Sequence, residues 1–183
     1  MAVGGDCWSR FVADQVGEAL GLDEATLREV EFGALLHDVG KISVPNEILN
    51  KPGRLTDEEM AVMRLHTLDG EAMLNRIGGT LREAGVVVRS HHERWDGRGY
   101  PDGLRGEDIP VAARVITACD AFNAMTTDRP YRAALPITDA IGELRAEAGR
   151  QFDPGVVEAL ITIVESWTNE PEPRDVPATP AAV

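Results

Sequence analysis

Glycine and proline cut this sequence into pieces of helix length, and between the cuts apolar residues recur at helical spacing. In "DEATLREVEFGALLHDVGK", Asp23 with Thr26 opens a segment in which Leu27, Val30, Gly33, Ala34 and Leu35 mark one face until Gly40 stops it. His37 and Asp38 are thereby expected on the last turn of a helix. Thr56 and Glu59 form a capping box at the head of "TDEEMAVMRLHTLDGEAMLNRIGG". That helix is expected to carry an apolar face through Met60, Met63, Leu68 and Met73, to hold His66 at its middle, and to end at Gly78-Gly79. "TLREAGVVVRSHHER" reads as the next helix; Val86-Val87-Val88 suits a strand in isolation but lies inside a helix-length segment. Pro110 fits the first turn of "PVAARVITACDAFNAM", whose apolar run Asp120 interrupts, and further helices begin at about Ile137 and Pro154. These signals predict an all-α domain over residues 1–168. The end, "NEPEPRDVPATPAAV" (169–183), is proline-rich and aperiodic, and reads as a disordered tail.

At 183 residues with 43% hydrophobic content the chain is long enough for one domain with a sizeable core. It has no run approaching the roughly 18 apolar residues of a membrane span, and its start lacks the layout of a signal peptide, so a cytoplasmic location is expected. Cys7 and Cys119 stand far apart in no paired-thiol motif, which points to neither a disulfide framework nor a zinc knuckle. A net charge of −13 opposes a nucleic-acid backbone or an anionic membrane as partner. A small anionic ligand is compatible with it if metal ions reverse the field locally.

The four histidines, His37, His66, His91 and His92, all fall within or at the end of an expected helix, while Asp38 and Asp120 interrupt apolar sequence. A carboxylate isolated in apolar surroundings costs several kcal/mol, on the order of its desolvation, and needs a partner. Each residue taken singly has an ordinary reading: His66 as a surface or hydrogen-bonded core histidine, Asp38 as part of a helix end, Asp120 as a salt-bridged core acid. His91 and His92 would point about 100° apart on a helix and need not share a target. The joint pattern of imidazoles and carboxylates instead suits divalent iron, manganese, zinc or nickel, with a carboxylate able to bridge two ions. Ions about 3.5–4 Å apart supply a nucleophile at neutral pH and clamp the attacking and leaving oxygens of a phosphate ester.

Five stretches, "LLHDVGKISVPNEILNKPGRLTDEE", "HTLDGEAML", "SHHERWDGRGYPDGLRGEDIP", "ARVITACDAFNAMTTDRPYRAALP" and "GRQFDPGVV", together closely resemble the HD-GYP family of HD-domain metal-dependent phosphohydrolases, in the family's order and spacing. The resemblance implies an all-α HD-domain helical bundle of about seven helices with a glycine-rich GYP loop, binding metal and hydrolysing cyclic di-GMP. By this resemblance His37 and Asp38 are the HD pair, Asp38 bridging; His66, His91 and His92 are further metal ligands, and Asp120 closes the set. Lys41 matches the lysine near the bound phosphate, and Asp38 and Lys41 are the expected catalytic residues. Arg129 and Arg132 match basic positions facing the ligand's phosphates, and Tyr100, in the Gly99-Tyr100-Pro101 loop, matches a ligand-contacting position. That loop is also associated in the family with docking onto diguanylate cyclase domains. Gly97 and Gly99 would allow positive φ there, and Trp95 and Tyr100 would anchor a partner or pack the loop.

One departure stands out. Family members carry a glutamate and a histidine four residues apart on the helix before the HD motif, and the matching positions here are Met1 and Gly5. Asp6, Cys7 or Asp14 would substitute only if the helix register shifts. The expectation is therefore one or two transition-metal ions, iron or manganese ahead of zinc or nickel, with weakened catalysis. The competing expectation is a degenerate module that binds metal or nucleotide and acts through protein contacts.

Overall fold

In the computed structural model, residues 5–128 and 133–169 are described, and all regular structure among them is helical apart from an isolated bridge between Ala148 and Phe152. The helices are α1 (Gly5–Ala19), α2 (Glu24–Leu36), a one-turn α3 (Asn46–Leu49), α4 (Asp57–Arg64), α5 (His66–Ile77), α6 (Thr80–Ser90), α7 (Val111–Thr126), α8 (Ile137–Glu147) and α9 (Pro154–Asn169). Short 3-10 turns cover Val39–Ser43 and Gly106–Asp108. Arg129 and Arg132, and the tail from residue 170, lie outside the described residues.

Capping chemistry sets several ends as the sequence predicts, but α2 stops at Leu36, so His37 is its C-cap and Asp38 lies beyond it at the head of the 3-10 turn, not on the last turn of a helix that runs to Gly40. Asp23 accepts from the Thr26 backbone N–H at 2.8 Å, and Thr56 and Glu59 close a reciprocal capping box on α4. Gly78 and Gly79 end α5 at φ 78° and 61°, a region where a Cβ is strained. The segment from Asp57 to Ile77, expected as one helix, is divided at Leu65 into α4 and α5. His66 thus heads a helix instead of sitting mid-helix.

α7 is the axis of the core. Ala112, Ala113, Val115, Ile116, Ala118, Cys119 and Phe122 are all buried on it, against α1, α2, α8 and α9. Small residues on so many faces let neighbouring helices approach closely, and the Cys119 thiol is pushed up by burial and stays neutral. On α2 the expected face is buried at Val30, Gly33 and Ala34, and only Leu35 of that face is exposed. On α5 the face shifts: the buried residues are His66, Thr67, Gly70 and Leu74 in place of Leu68 and Met73, and on α4 Met60 is exposed.

Two glycines seat the HD turn on α5. A Cβ on Gly40 would lie 1.9 Å from the His66 carbonyl oxygen, and one on Gly70 would lie 2.7 Å from Val88 and 3.3 Å from the Gly40 nitrogen. The backbone after Asp38 therefore rests directly on the backbone of the helix that starts with His66.

Candidate metal centre

His37, His66 and His91 are anchored in the same way. Nδ1 of each lies against the carbonyl oxygen three residues earlier: His37 to Ala34 at 3.0 Å, His66 to Met63 at 2.8 Å, His91 to Val88 at 2.7 Å. A carbonyl only accepts, so Nδ1 carries the proton and Nε2 keeps its lone pair. Such a backbone partner also fixes ring orientation, as for metal-ligating imidazoles generally. The lone pairs converge: His66 Nε2 and His91 Nε2 stand 3.4 Å apart, and the ligand atoms of His66, His91 and His92 all lie within 4.8 Å of one another.

Two facing lone pairs repel unless a cation or proton lies between them. Protonation is disfavoured, because burial, followed by the neighbouring imidazoles, holds His91 well below the ordinary range; burial likewise lowers His66, and burial with His66 beside it lowers His92 to about 3. A site of neutral imidazoles fits a divalent transition ion.

The carboxylates complete the cluster. Asp38 Oδ2 is 3.7 Å from His37 Nε2 while its Oδ1 is 3.7 Å from His66 Nε2, so one carboxylate faces two groups of imidazoles with different oxygens. Asp120 Oδ1, from α7, stands 3.9 Å from His37 Nε2. Both acids were expected in apolar surroundings; instead their side chains are 42% and 38% exposed, forming the open rim of the cluster. Lys41 Nζ lies 2.6 Å from Asp38 Oδ2. Burial tends to raise the Asp38 carboxyl, but His37, Lys41 and His66 together outweigh it and hold it below the usual carboxylate range.

His91 and His92 turn to a common centre, contrary to the helical expectation, because α6 stops at Ser90 and His91 is its C-cap. Their rings are 4.1 Å apart, and the Thr117 hydroxyl of α7 donates to the His91 carbonyl at 2.7 Å. The following loop folds back over this turn. A Cβ on Gly99 would fall 2.4–2.6 Å from backbone atoms of His92, Glu93 and Arg94, so Gly99 is required by close approach and not by positive φ, which belongs to Gly97 (78°) and Gly103 (68°). Tyr100 stacks on His92 at 4.9 Å and its hydroxyl is pushed up to about 12, mainly by burial. Trp95 packs the loop, under the Arg114 guanidinium at 5.7 Å.

Sequence reasoning missed two residues here. Glu93, 2% exposed, accepts the backbone N–H groups of Asp102 (2.7 Å) and Gly103 (3.0 Å) on Oε1, while Oε2 is buried with no hydrogen-bond partner among the described residues. Its position directly after two histidines was the available signal. Arg64, at the end of α4, holds its guanidinium 4.9 Å from the Tyr100 ring centroid. Arg89 strengthens the loop further, donating to Asp102 at 2.6 and 2.8 Å and to Glu71 at 2.7 Å.

Of the residues that would substitute on the first helix after a register shift, Asp14 lines a surface recess between α1 and α2 with Glu18, Leu27, Arg28 and Glu31. The side chains of Asp6 and Cys7 lie outside those described.

The HD-domain sequence signature matches residues 5–156. Over 160 residues, 87% of this chain and 44% of the relative, the chain is 38% identical to a cyclic di-GMP phosphodiesterase of Thermotoga maritima. Over 151 residues, 82% of this chain and 40% of the relative, it is 45% identical to the cyclic di-GMP phosphodiesterase response regulator RpfG of Xanthomonas campestris pv. campestris. The chain thus spans less than half the length of these relatives. In structure it resembles a cyclic GMP-AMP specific phosphodiesterase of Vibrio cholerae with a TM-score of 0.70 at 19% identity, over 88% of this chain and 44% of that one. No described helix is long and apolar enough to cross a membrane. With the HD pair, the paired histidines and the Gly-Tyr-Pro loop gathered at one site, and the HD-domain signature spanning most of the sequence, this chain belongs to the HD-domain family, in its HD-GYP branch.

Proposed function

We propose that this domain is a metal-dependent phosphodiesterase that hydrolyses a cyclic dinucleotide, with cyclic di-GMP as its substrate. The observation that carries the reading is the 3.4 Å approach of two Nε2 atoms whose rings have both committed their protons to backbone carbonyls. His37, Asp38 and Asp120 would hold one ion, and Asp38, His66, His91 and His92 a second. Iron or manganese suits this mixture of imidazole and carboxylate, and zinc or nickel is compatible with it. When bound, such ions supply Lewis-acid polarisation of the phosphodiester and a nucleophile at neutral pH.

The chain's own residues supply the rest. Asp38 spans the two halves of the cluster and fixes their spacing. Lys41, beside Asp38, places a positive charge where the phosphate gains negative charge in the transition state. Tyr100, held over His92 by the loop, forms a wall against which the substrate lies. Arg129 and Arg132 are assigned to the ligand's phosphates from their motif alone. Docking of diguanylate cyclase domains on the GYP loop belongs to the same reading.

Protein loaded with iron or manganese is expected to convert cyclic di-GMP to the linear dinucleotide, with 3',3'-cGAMP assayed alongside, and Asp38→Asn is expected to abolish turnover. A degenerate binding module is the second reading, favoured by one observation: Met1 and Gly5 stand where the family carries its first-helix glutamate and histidine, and among the described residues the carboxylates beside His37 Nε2 are those of Asp38 and Asp120. Tight binding of cyclic di-GMP with no turnover of either dinucleotide would select it over the first.

A further inference from the structure

We propose that Arg64 is a substrate-binding residue that holds the phosphate of the cyclic dinucleotide not being cleaved. The inference rests on the phosphodiesterase reading and adds to it a residue that neither the motifs nor the metal cluster requires.

A cyclic dinucleotide carries two phosphodiesters on one ring. When one of them meets the metal cluster, the other lies away from it and keeps its negative charge. In a chain of net charge −13 that second charge needs a local cation. Lys41 is already committed, 2.6 Å from Asp38. Arg129 and Arg132, assigned to the phosphates from their motif, lie outside the described residues, and among the described arginines several are committed: Arg89 to Glu71 and Asp102, Arg94 to Asp96, Arg114 to Asp153, Arg145 to Glu165 and Arg150 to Glu147.

Arg64 differs from these. Among the described residues its guanidinium meets no carboxylate in an ion pair; it rests on the Tyr100 ring, the same ring that stacks on the ligand candidate His92. Arg64 sits in the last turn of α4, two residues before His66, so the break at Leu65 that turns His66 inward leaves Arg64 on the exposed rim. A guanidinium held by a ring face keeps its N–H edge free, and that edge matches a phosphate with two parallel hydrogen bonds.

The test compares Arg64→Ala, Arg64→Lys and wild type on two substrates: cyclic di-GMP, and bis(p-nitrophenyl) phosphate, which has a single phosphodiester. Loss of a charge-assisted contact is expected to raise KM for cyclic di-GMP about 10- to 100-fold in Arg64→Ala, with kcat changed far less. The loss of kcat/KM on the dinucleotide should exceed that on the simple diester at least about tenfold by the same reasoning, and Arg64→Lys should recover part of it. Equal losses on both substrates, or Arg64→Lys as impaired as Arg64→Ala, would overturn the inference while leaving the phosphodiesterase reading standing. If the loaded wild type cleaves neither substrate, that reading fails. Arg64 is then judged by calorimetric binding of cyclic di-GMP, where Arg64→Ala must weaken Kd by the same factor; unchanged or undetectable wild-type binding overturns it.

Discussion

Replacing Gly40 by alanine tests how the fold builds the site, because the clash it creates is with backbone and not with a side chain that can swing away. The added Cβ would stand 1.9 Å from the His66 carbonyl oxygen, 2.8 Å from its carbon and 2.6 Å from the Gly70 nitrogen. Restoring ordinary contact, about 3.4 Å, requires the HD turn and α5 to part by about 1.5 Å. Asp38 precedes the clash by two residues and His66 is the residue struck, so the 3.7 Å separation of Asp38 Oδ1 and His66 Nε2 widens by a comparable amount. Overpacking of this kind costs about 1–3 kcal/mol, and the upper part of that range is expected where neither partner is a side chain. Urea unfolding of the metal-free protein reads that loss from the midpoint at constant m-value. Chelator competition for manganese reads the second effect, a drop in metal affinity of about 10- to 100-fold as the ligand geometry opens. A Gly40→Ala protein with wild-type stability and wild-type metal affinity would refute the claim that this backbone contact sets the distance between the two ligands.

Other outcomes follow from the same geometry. His91 and His92 are held below the ordinary imidazole value of 6.5 in the fold, whereas the unfolded chain binds their protons near 6.5. The metal-free protein should therefore lose stability as pH falls from about 7 towards 5, with a slope approaching ~2.7 kcal/mol per pH unit for two protons; urea titrations flat across that window would contradict it. Glu93→Ala leaves the Asp102 and Gly103 N–H groups without their acceptor, at about 1–3 kcal/mol for each group that stays buried. Hydrogen exchange in residues 99–103 should then accelerate, with Glu93→Gln recovering part of the protection; unchanged exchange in Glu93→Ala would count against the clamp. Manganese at 100 times its Kd should stabilise the chelator-treated protein by about 2.7 kcal/mol, read as a rise in Tm that Asp38→Asn abolishes.

The order of the helices and several of their ends were legible in the sequence because they depend on neighbours a few residues apart. Asp23, the Thr56–Glu59 box and Gly78-Gly79 act within a turn of where they stand, and helices beginning near Ile137 and Pro154 needed nothing further. What the sequence conceals is set by contacts between distant segments. Leu35 fits the apolar period of α2, yet the face that turns inward is set by where Val87 and Ile116 press on Gly33. The division at Leu65 has no breaker residue; α5 is redirected by its seat on the HD turn. The candidate ligand residues could be proposed from their motifs, but the convergence of adjacent His91 and His92 depends on α6 ending at Ser90. Glu93 and Arg64 went unnoticed because each acts on a loop whose path is visible only in three dimensions.

Metal content per chain tests the central claim most directly. Protein prepared without chelators, analysed for iron, manganese, zinc and nickel, is expected to carry at least one transition-metal ion per chain, and a His66→Ala/His91→Ala double variant that still folds should lose at least one. Wild-type protein that stays metal-free even after incubation with iron or manganese, or a double variant with the same content as wild type, would contradict the assignment of these imidazoles and carboxylates to a metal centre.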